Sequence, residues 1–218
     1  MRTATFLSVF AVAACGPAQT ASVPPARTIA SAGALTTASA SHPVSATTGT
    51  PIAAARAIDL DFEHWPDPAW STGNGEYEVT QDLSQAHSGR ASLRLEFAGA
   101  GEFCAVTAVI PAAELRGKRL RYTGWLRTVD VTGFAGLWAR ADAADKTVLA
   151  FENMQDRGVT DTTAWAQYVI TLDIPVEAQS ISFGALLAGE GTAWVDSLAL
   201  ESLPSPAPPP SGRQGGST

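Results

Sequence analysis

The chain has 218 residues and a formal net charge of −7, and only 14 of its residues are lysine or arginine. Proteins that bind nucleic acid need clustered cations to neutralise phosphates, so this composition predicts no nucleic-acid partner. All six tryptophans and all three tyrosines lie between residues 58 and 203. A block of that length can bury most of its apolar surface, so the sequence predicts one globular domain over 58–203.

The first 15 residues are typical of a bacterial secretion signal. An apolar run at 6–14 is too short to span a bilayer. It ends at 12–15 (VAAC), which resembles the bacterial lipobox, so 1–15 is predicted to be a lipoprotein-type signal peptide lipidated at Cys15. We therefore expect a protein of the bacterial cell envelope, held on a membrane by a lipid anchor at the periplasmic face or the cell surface. The alternative is ordinary cleavage after 11–13 (AVA), which gives a secreted protein.

Two segments flank the domain. Residues 16–57 are rich in alanine, serine, threonine and proline, and they contain no aromatic or acidic residue. Residues 204–218 (PSPAPPPSGRQGGST) have a similar composition. Neither segment can bury enough apolar surface to offset the entropy of ordering it. Both are predicted to be disordered, the first as a tether and the second as a tail.

Apolar residues alternate with polar residues along most of the domain, and this period of two predicts β-strands. The predicted inward faces are Leu93, Leu95 and Phe97; Leu120, Tyr122 and Leu126; Tyr168, Ile170 and Leu172; and Ile181, Phe183, Ala185 and Leu187. Glycine-containing turns separate these runs. The pattern predicts an all-β fold, a two-sheet antiparallel β-sandwich of the jelly-roll type.

Three local features carry further expectations. Thr132-Gly133 is predicted to be a turn that pairs the strands on either side of it as a hairpin. In the last strand, Trp194 and Leu198 are expected to share a face and to carry Asp196 into the interior. Cys104 is expected to be a small buried hydrophobic residue.

Five basic residues lie close together in the sequence, and we interpret them as a solvated strand face. They are Arg116, Lys118, Arg119, Arg121 and Arg127.

Four fragments, in this order, resemble the landmarks of the galactose-binding-like jelly rolls found as carbohydrate-binding modules. They are LDFEHWPDPAW (60–70), AHSGRASLRL (86–95), RLRYTGWLR (119–127) and AWVDSLALE (193–201). In addition, FENMQDRG followed by TTAWAQY is similar to a version that accompanies bacterial secreted hydrolases as an accessory domain. The resemblance implies a jelly roll with a glycan as the expected ligand.

The resemblance also implies a structural calcium ion at Glu63, Ser88 and Asp196, since hard oxygen ligands suit Ca²⁺. No cofactor is otherwise required. The alternative is that Asp196 accepts hydrogen bonds from the backbone of a neighbouring turn.

Six residues are candidates for ligand binding. Tryptophan rings among charged side chains form sugar-stacking platforms, and amide and guanidinium groups donate to hydroxyls. The alternatives are that the tryptophans fill the core and that the polar residues fix a loop. The candidates are Trp125, Trp138, Arg140, Asn153, Gln155 and Arg157.

The sequence contains no nucleophile elbow, zinc-protease, phosphate-loop or dinucleotide-binding motif. We therefore expect a protein that is not an enzyme, a surface lipoprotein whose jelly roll binds a glycan. The alternatives are a structural or protein-interaction domain with an envelope protein as partner, and a stand-alone relative of a hydrolase accessory domain.

The lipid anchor gives the first testable prediction. The mature protein is expected to begin at acylated Cys15 and to partition with membranes, because several acyl chains hold a protein firmly where a single chain does not. Intact-mass analysis of the native protein checks this. An unmodified N-terminus at or near Ala14 would contradict the anchor and support secretion.

Overall fold

The computed structural model describes residues 48–73, 77–99 and 101–204, so the signal peptide with Cys15, most of the tether and nearly all of the tail lie outside the described residues. Its strands are β1 (Thr50–Pro51), β2 (Trp70–Ser71), β3 (Tyr77–Asp82), β4 (Ser92–Phe97), β5 (Phe103–Pro111), β6 (Arg119–Asp142), β7 (Val148–Glu152), β8 (Val159–Asp173), β9 (Ser180–Ala188) and β10 (Thr192–Leu203). Two 3₁₀ turns, Ala53–Ala57 and Gln155–Arg157, complete the elements. No helix in the described ranges is long and apolar enough to cross a membrane.

The fold begins earlier than residue 58. Strand β1 pairs with β10, and the backbone N–H of Ile52 donates to Leu200 O at 3.3 Å. The side chains of Ile52 and Ala55 are buried. The composition of this stretch is that of the tether, and only its contacts with β10 and the core distinguish it, so its place in the domain cannot be read from composition.

Strand β6 belongs to both sheets of the fold. Its first half pairs with β10 on one edge and with β8 on the other. Its second half pairs with β9 on one edge and with β7 on the other. The first sheet therefore runs β3-β4-β10-β6-β8, and the second runs β2-β5-β9-β6-β7. All pairings are antiparallel, which confirms the predicted two-sheet sandwich.

Strand β6 must bend back on itself to serve two facing sheets. Gly124 and Leu137 would be about 40 Å apart on a straight strand. In the structure, a Cβ added to Gly124 would lie 3.1 Å from Leu137 Cδ2 and 2.5 Å from Leu198 Cδ2. The two halves of the strand thus face each other across the core, and Gly124 leaves room for both leucines.

The apolar residues of the alternating pattern point into the space between the two sheets and form the core there, as the sequence predicts. Tyr122 of the first sheet is fully buried, and its ring lies 5.5 Å from that of Phe183 in the second sheet. The Tyr122 hydroxyl donates to Gly184 O at 3.2 Å, and burial raises the pKa of Tyr122 well above its ordinary value. Cys104 is buried, as expected.

The predicted hairpin at Thr132-Gly133 is wrong. Strand β6 continues through these residues, and its register shifts between Leu126 and Ala135. The Thr132 N–H donates to Glu190 O, and the Glu190 N–H donates to Thr132 Oγ1 at 2.9 Å. The dipeptide therefore bends one strand around the β9–β10 turn instead of reversing the chain.

The prediction of which β10 side chains point into the core is also wrong in part. A bulge between Asp196 and Ala199, with Ser197 at φ 52°, shifts the alternation by one residue. Leu198 consequently points into the core, whereas Trp194 and Asp196 point outward. Asp196 is nevertheless fully buried, because a loop covers it.

Two residues of the basic cluster lie on a solvated strand face, as the sequence indicates. Arg119 forms two hydrogen bonds with Asp173, at 2.6 and 2.7 Å, on the solvent side of the first sheet. Arg121 forms an ion pair with Glu201 on the same side. These pairs are typical of a solvated strand face.

The contact between β9 and β5 gives the second prediction. A Cβ added to Gly184 would overlap the carbonyl oxygen of Val106, and backbone cannot move aside as a side-chain tip can. We expect Gly184→Ala to lower the free energy of unfolding by about 2–3 kcal/mol. The matched control is Gly73→Ala, whose added Cβ meets nothing closer than 3.6 Å. Denaturant titration of both variants checks this, and equal stabilities would contradict the close packing.

Candidate functional site

Each sheet has an outer side that faces away from the core, and these two sides are the candidate surfaces. The outer side of the first sheet carries Trp125, Trp165 and Trp194, and we call it the tryptophan face. The outer side of the second sheet carries Phe103, Trp138, Arg140 and Phe151, and we call it the phenylalanine face.

On the tryptophan face, Trp125 is partly covered by the loop between β3 and β4. The His87 ring stacks on it, with the ring centres 3.7 Å apart and the planes at 15°. Trp165 meets the His87 ring edge-on at 6.0 Å. Trp125 and Trp165 are half-buried. One side of the Trp125 ring is therefore occupied by the protein itself.

Trp194 lies between two arginines on the same face. The guanidinium carbons of Arg94 and Arg127 lie 6.0 and 5.7 Å from the centre of its ring. Its indole N–H donates to Asp82 Oδ2 at 2.8 Å. Burial raises the pKa of Asp82, but hydrogen bonds from Ser84 and Trp194 outweigh it and hold that pKa below its ordinary value.

Two carboxylates hold the loop between β3 and β4 in place, one from β10 of the sheet and one from the segment before β2. Asp196 Oδ2 accepts the backbone N–H groups of His87 and Ser88 at 2.8 and 2.9 Å. Glu63 Oε1 accepts those of Arg90 at 2.7 Å and Ala91 at 3.2 Å. The N–H of Arg90 is the main cause of the lowered pKa of Glu63. From the sequence, both carboxylates were predicted to bind calcium. In the structure, both accept hydrogen bonds from the backbone of this loop.

These contacts bear on the predicted calcium ion without testing it. Ser88 Oγ is bonded to Ser197 Oγ at 2.8 Å. The described residues contain no group of three or more acidic, histidine or cysteine side chains arranged to hold a metal. Partial burial and the charges of neighbouring carboxylates raise the pKa of Asp61 beside Asp196. The calcium site stays a prediction, and the hydrogen bonds favour its alternative, a structural Asp196.

On the phenylalanine face, two aromatic rings reach solvent. Phe103 and Phe151 are each 44% exposed, and they lie on β5 and β7 with β9 and β6 between them. Trp138, near the middle of the face, is 8% exposed, and its buried indole N–H has no acceptor among the described residues. Trp138 thus behaves as a packed residue of this face, whereas the two phenylalanines offer ring surface.

The polar groups beside these rings are held in place by their neighbours. Arg140 pairs with the buried carboxylate of Asp142, with Nε 2.9 Å from Oδ1. Asn153 Oδ1 accepts the Gln155 N–H at 3.1 Å. Arg157 donates to Glu152 Oε1 at 2.8 Å. These contacts fit the loop-fixing interpretation, and they also keep a guanidinium and an amide in fixed positions at the edge of the face.

The structure brings some predicted ligand residues together and separates others. Trp138 and Arg140 share the phenylalanine face, and a Cβ added to Gly136 of that face would lie 3.2 Å from Asn153 O. Trp125 lies on the opposite side of the sandwich, because β6 passes from one sheet to the other between Trp125 and Trp138.

Sequence reasoning missed two groups of surface residues. On the tryptophan face they are His87, Arg94, Trp165 and Trp194, and on the phenylalanine face they are Phe103 and Phe151. The alternation of β5, in which Phe103 is out of phase with buried Cys104, was the available signal for the second face.

An open depression of about 670 Å³ lies beside the loop between β3 and β4. It is lined by Glu63, Gln81, Leu83, Ser84, Ala86, Gly89 and Arg90. Glu63 and Gln81 are already hydrogen-bonded within the protein, the latter to Phe62 O at 2.7 Å. The depression therefore offers few uncommitted groups to a ligand.

No protein-family model matches the chain. The uncharacterized HTH-type transcriptional regulator YbfP of Bacillus subtilis is 38% identical over 136 residues, which are 61% of this chain and 46% of that protein. The chain thus spans less than half the length of this curated relative.

Among solved structures, the xylan-binding domain of a family 22 carbohydrate-binding module is similar, with a TM-score of 0.52 and 13% identity over 65% of this chain and 91% of that one. A tandem pair of such modules from Paenibacillus barcinonensis Xyn10C has a TM-score of 0.50 and 14% identity over 76% and 49%. Similarity at this level establishes the fold. The domain has the β-sandwich fold of carbohydrate-binding modules, as the resemblance in the sequence implied.

The hydrogen bonds accepted by Asp196 give the third prediction. Asp196→Ala leaves three part-buried N–H groups, those of His87, Ser88 and Ser197, without their acceptor. We expect a loss of about 2–4 kcal/mol in the free energy of unfolding. The control is Asp145→Ala, which removes a single exposed acceptor for the Thr147 N–H.

Both Asp196 and Asp145 variants, and the wild type, are melted in calcium and in EDTA. If Asp196 is structural, the losses are the same in both buffers. A calcium-dependent rise in the melting temperature of the wild type that Asp196→Ala abolishes would instead establish the calcium site.

Proposed function

We propose that the domain is a non-catalytic glycan-binding module whose ligand lies across the phenylalanine face. The observation that carries this proposal is the exposure of two aromatic rings, Phe103 and Phe151, on a sheet that also presents Arg140 at its surface. Sugar rings stack their apolar faces on aromatic rings while polar groups bond to their hydroxyls.

The spacing of the two rings suits an extended ligand. Three strand intervals, about 14 Å, separate β5 from β7 across the sheet. Phe103 is level with Phe134 of β6 and Phe151 with Arg140, six residues or about 20 Å further along, so the two positions are about 24 Å apart. Thr107 and Ser182 lie between them on the same side. A ligand that touches both rings must be longer than a monosaccharide, so a linear oligosaccharide fits better than a single sugar. The affinity for the glycan is expected to be weak. In a shallow, hydrated site, the favourable contacts only slightly exceed the cost of ordering and desolvating the ligand.

The phenylalanine face is a better candidate for such a ligand than the tryptophan face. Trp125 is stacked by His87, and Trp194 is enclosed by two arginines, so the protein covers ring surface that a glycan chain would need. The sequence hypothesis of a platform that combines Trp125 and Trp138 is therefore replaced by one in which exposed phenylalanines do the stacking and Trp138 supports them.

The absence of catalytic motifs from the sequence supports a binding role over catalysis. Arg140 and Asp142, the charged pair of this face, neutralise each other, and catalysis by paired carboxylates needs two acids of different pKa. The lipobox at Cys15 supports display from a bacterial membrane, with free secretion as the alternative.

The regulator YbfP supports a second candidate role. Its 38% identity over 136 residues means that the shared segment also occurs in a protein whose name places it in transcriptional control. A module that recognises a ligand or a protein partner can function in a transcriptional regulator or in a cell-envelope protein. A protein-interaction domain of the cell envelope would use the same exposed rings, and the experiment below separates the two roles.

Phe151→Ala gives the fourth prediction. It is expected to weaken retention of the domain on an oligosaccharide matrix about fivefold, because one stacking contact of about 1 kcal/mol is lost. Xylan, the ligand in the name of a structural neighbour, is the first matrix, followed by a glycan array. The control is Val176→Ala, which removes a side chain 65% exposed in the turn before β9.

Circular dichroism must show that both Phe151 and Val176 variants are folded. Retention of the wild type on no glycan, combined with capture of an envelope protein that depends on Phe151, would refute the glycan role and support the protein-interaction domain.

A further inference from the structure

We infer that the tryptophan face holds a second binding site, which takes a carboxylate-bearing glycan and is centred on Arg127. This site lies on the opposite side of the sandwich from the phenylalanine face. It therefore does not depend on the proposed function and can stand if that proposal fails.

Arg127 differs from the other arginines of the first sheet in having no acidic partner among the described residues. Arg119 is paired with Asp173, Arg121 with Glu201, and Arg94 with Glu96. Arg127 is half-buried, and its buried Nε has no acceptor in the described part of the chain. A guanidinium that is partly removed from water and lacks an acceptor raises the free energy of the folded protein. Its Nη groups are not among the buried unpaired atoms, so an external anion can bond to them and compensate the charge.

The acids of this face are already engaged. Asp196, the nearest in register, accepts the N–H groups of His87, Ser88 and Ser197. Further away, Glu96 is paired with Arg94, and Asp82 accepts the indole N–H of Trp194 and the hydroxyl of Ser84. A rearrangement that brought one of these acids to Arg127 would break such a contact. The structure therefore leaves the partner of Arg127 to come from outside the described part of the chain.

Aromatic rings surround the guanidinium. Trp194 pairs with Arg127 across β10, and its ring centre lies 5.7 Å from the guanidinium carbon. On the other edge, the register shift between Leu126 and Thr128 places two β8 residues, Ala164 and Trp165, opposite the single Arg127. Bulges of this kind redirect side chains. Here the bulge sets the half-buried Trp165 beside Arg127.

This combination indicates the class of ligand. A guanidinium binds a carboxylate through two parallel hydrogen bonds, and a half-exposed indole stacks on the apolar face of a sugar ring. The exposed amide of Gln167, which pairs with Trp125 on the same side, can bond to hydroxyls. A uronic-acid residue of a glycan presents all three features together, a carboxylate, an apolar ring face and hydroxyls.

The experiment uses tetragalacturonate as the acidic probe and its methyl ester as the neutral one. Binding to the purified domain is measured by calorimetry and by tryptophan fluorescence. We expect the acid to bind at least about tenfold more tightly than the ester, and we expect Arg127→Gln to remove that preference. Arg127→Lys keeps the charge but loses the fork of donors, so it should recover only part of the affinity.

Two controls separate this site from the other surfaces. Arg119→Gln removes an arginine of the same strand that is already paired, and Phe151→Ala removes a ring of the phenylalanine face; both should leave uronate binding unchanged. Equal affinity for acid and ester, or loss of uronate binding in Phe151→Ala, would overturn the inference. So would tighter binding of a glutamate-rich peptide than of the uronide, because the ligand would then be an acidic protein segment.

A thermal melt tests whether Arg127 has only a structural role. If Arg127 serves a ligand, Arg127→Gln should melt within a few degrees of the wild type, since no hydrogen bond or ion pair of the described residues is lost. Trp165→Ala provides an independent variant on the β8 side, expected to weaken uronate binding while the domain stays folded. Unchanged binding in both variants would refute the site.

Discussion

The bend of β6 is the constraint on which the rest of the structure depends. One strand of 24 residues is the fourth strand of both sheets, and it can take both places only because its halves face each other across the core. Gly124 permits the approach of Leu137 and Leu198 at that crossing. The position at which β6 passes from one sheet to the other decides which of its side chains point into the core and which point to the outer faces.

The same bend explains why the two outer faces differ in chemistry. The first half of β6 turns Trp125 and Arg127 outward, under a loop that Asp196 and Glu63 hold in place. The second half turns Trp138 and Arg140 outward, beside strands that carry exposed phenylalanines. On the first face most hydrogen-bonding groups of the described residues are paired within the protein, and Arg127 Nε has no acceptor among them. On the second face two phenylalanine rings are partly exposed. Surfaces of these two kinds suit two different ligands.

Much of the fold could be predicted from sequence because alternation is a local property. The inward residues of β4, of β9 and of the first half of β6 are those that the period of two indicates. The predictions failed at Thr132-Gly133 and at Ser197, where register shifts change the alternation. A shift of register depends on which strands lie alongside, and a single sequence does not contain that information. Glycine and threonine at a bend look the same as glycine and threonine in a turn.

The candidate site was harder to predict for the same reason. Trp138 and Arg140 lie on one face, but the ring expected to join them, Trp125, lies on the other sheet. The exposed rings of Phe103 and Phe151 carry no motif, and only their phase relative to buried neighbours marks them. Arg127 was seen as one member of a basic cluster, whereas its lack of a partner is a property of the folded protein alone.

The position of β10 has a consequence for the order in which the domain can form. Among the described residues β10 is the last strand, yet it lies in the interior of the first sheet, between β4 and β6, and it also pairs with β1. During synthesis, β3, β4 and the first half of β6 are made long before the strand that joins them. The leucines of β4 therefore remain without their neighbours until residues 192–203 emerge, and contacts so distant in sequence make for slow folding. The first sheet of the domain cannot close until these residues have been made.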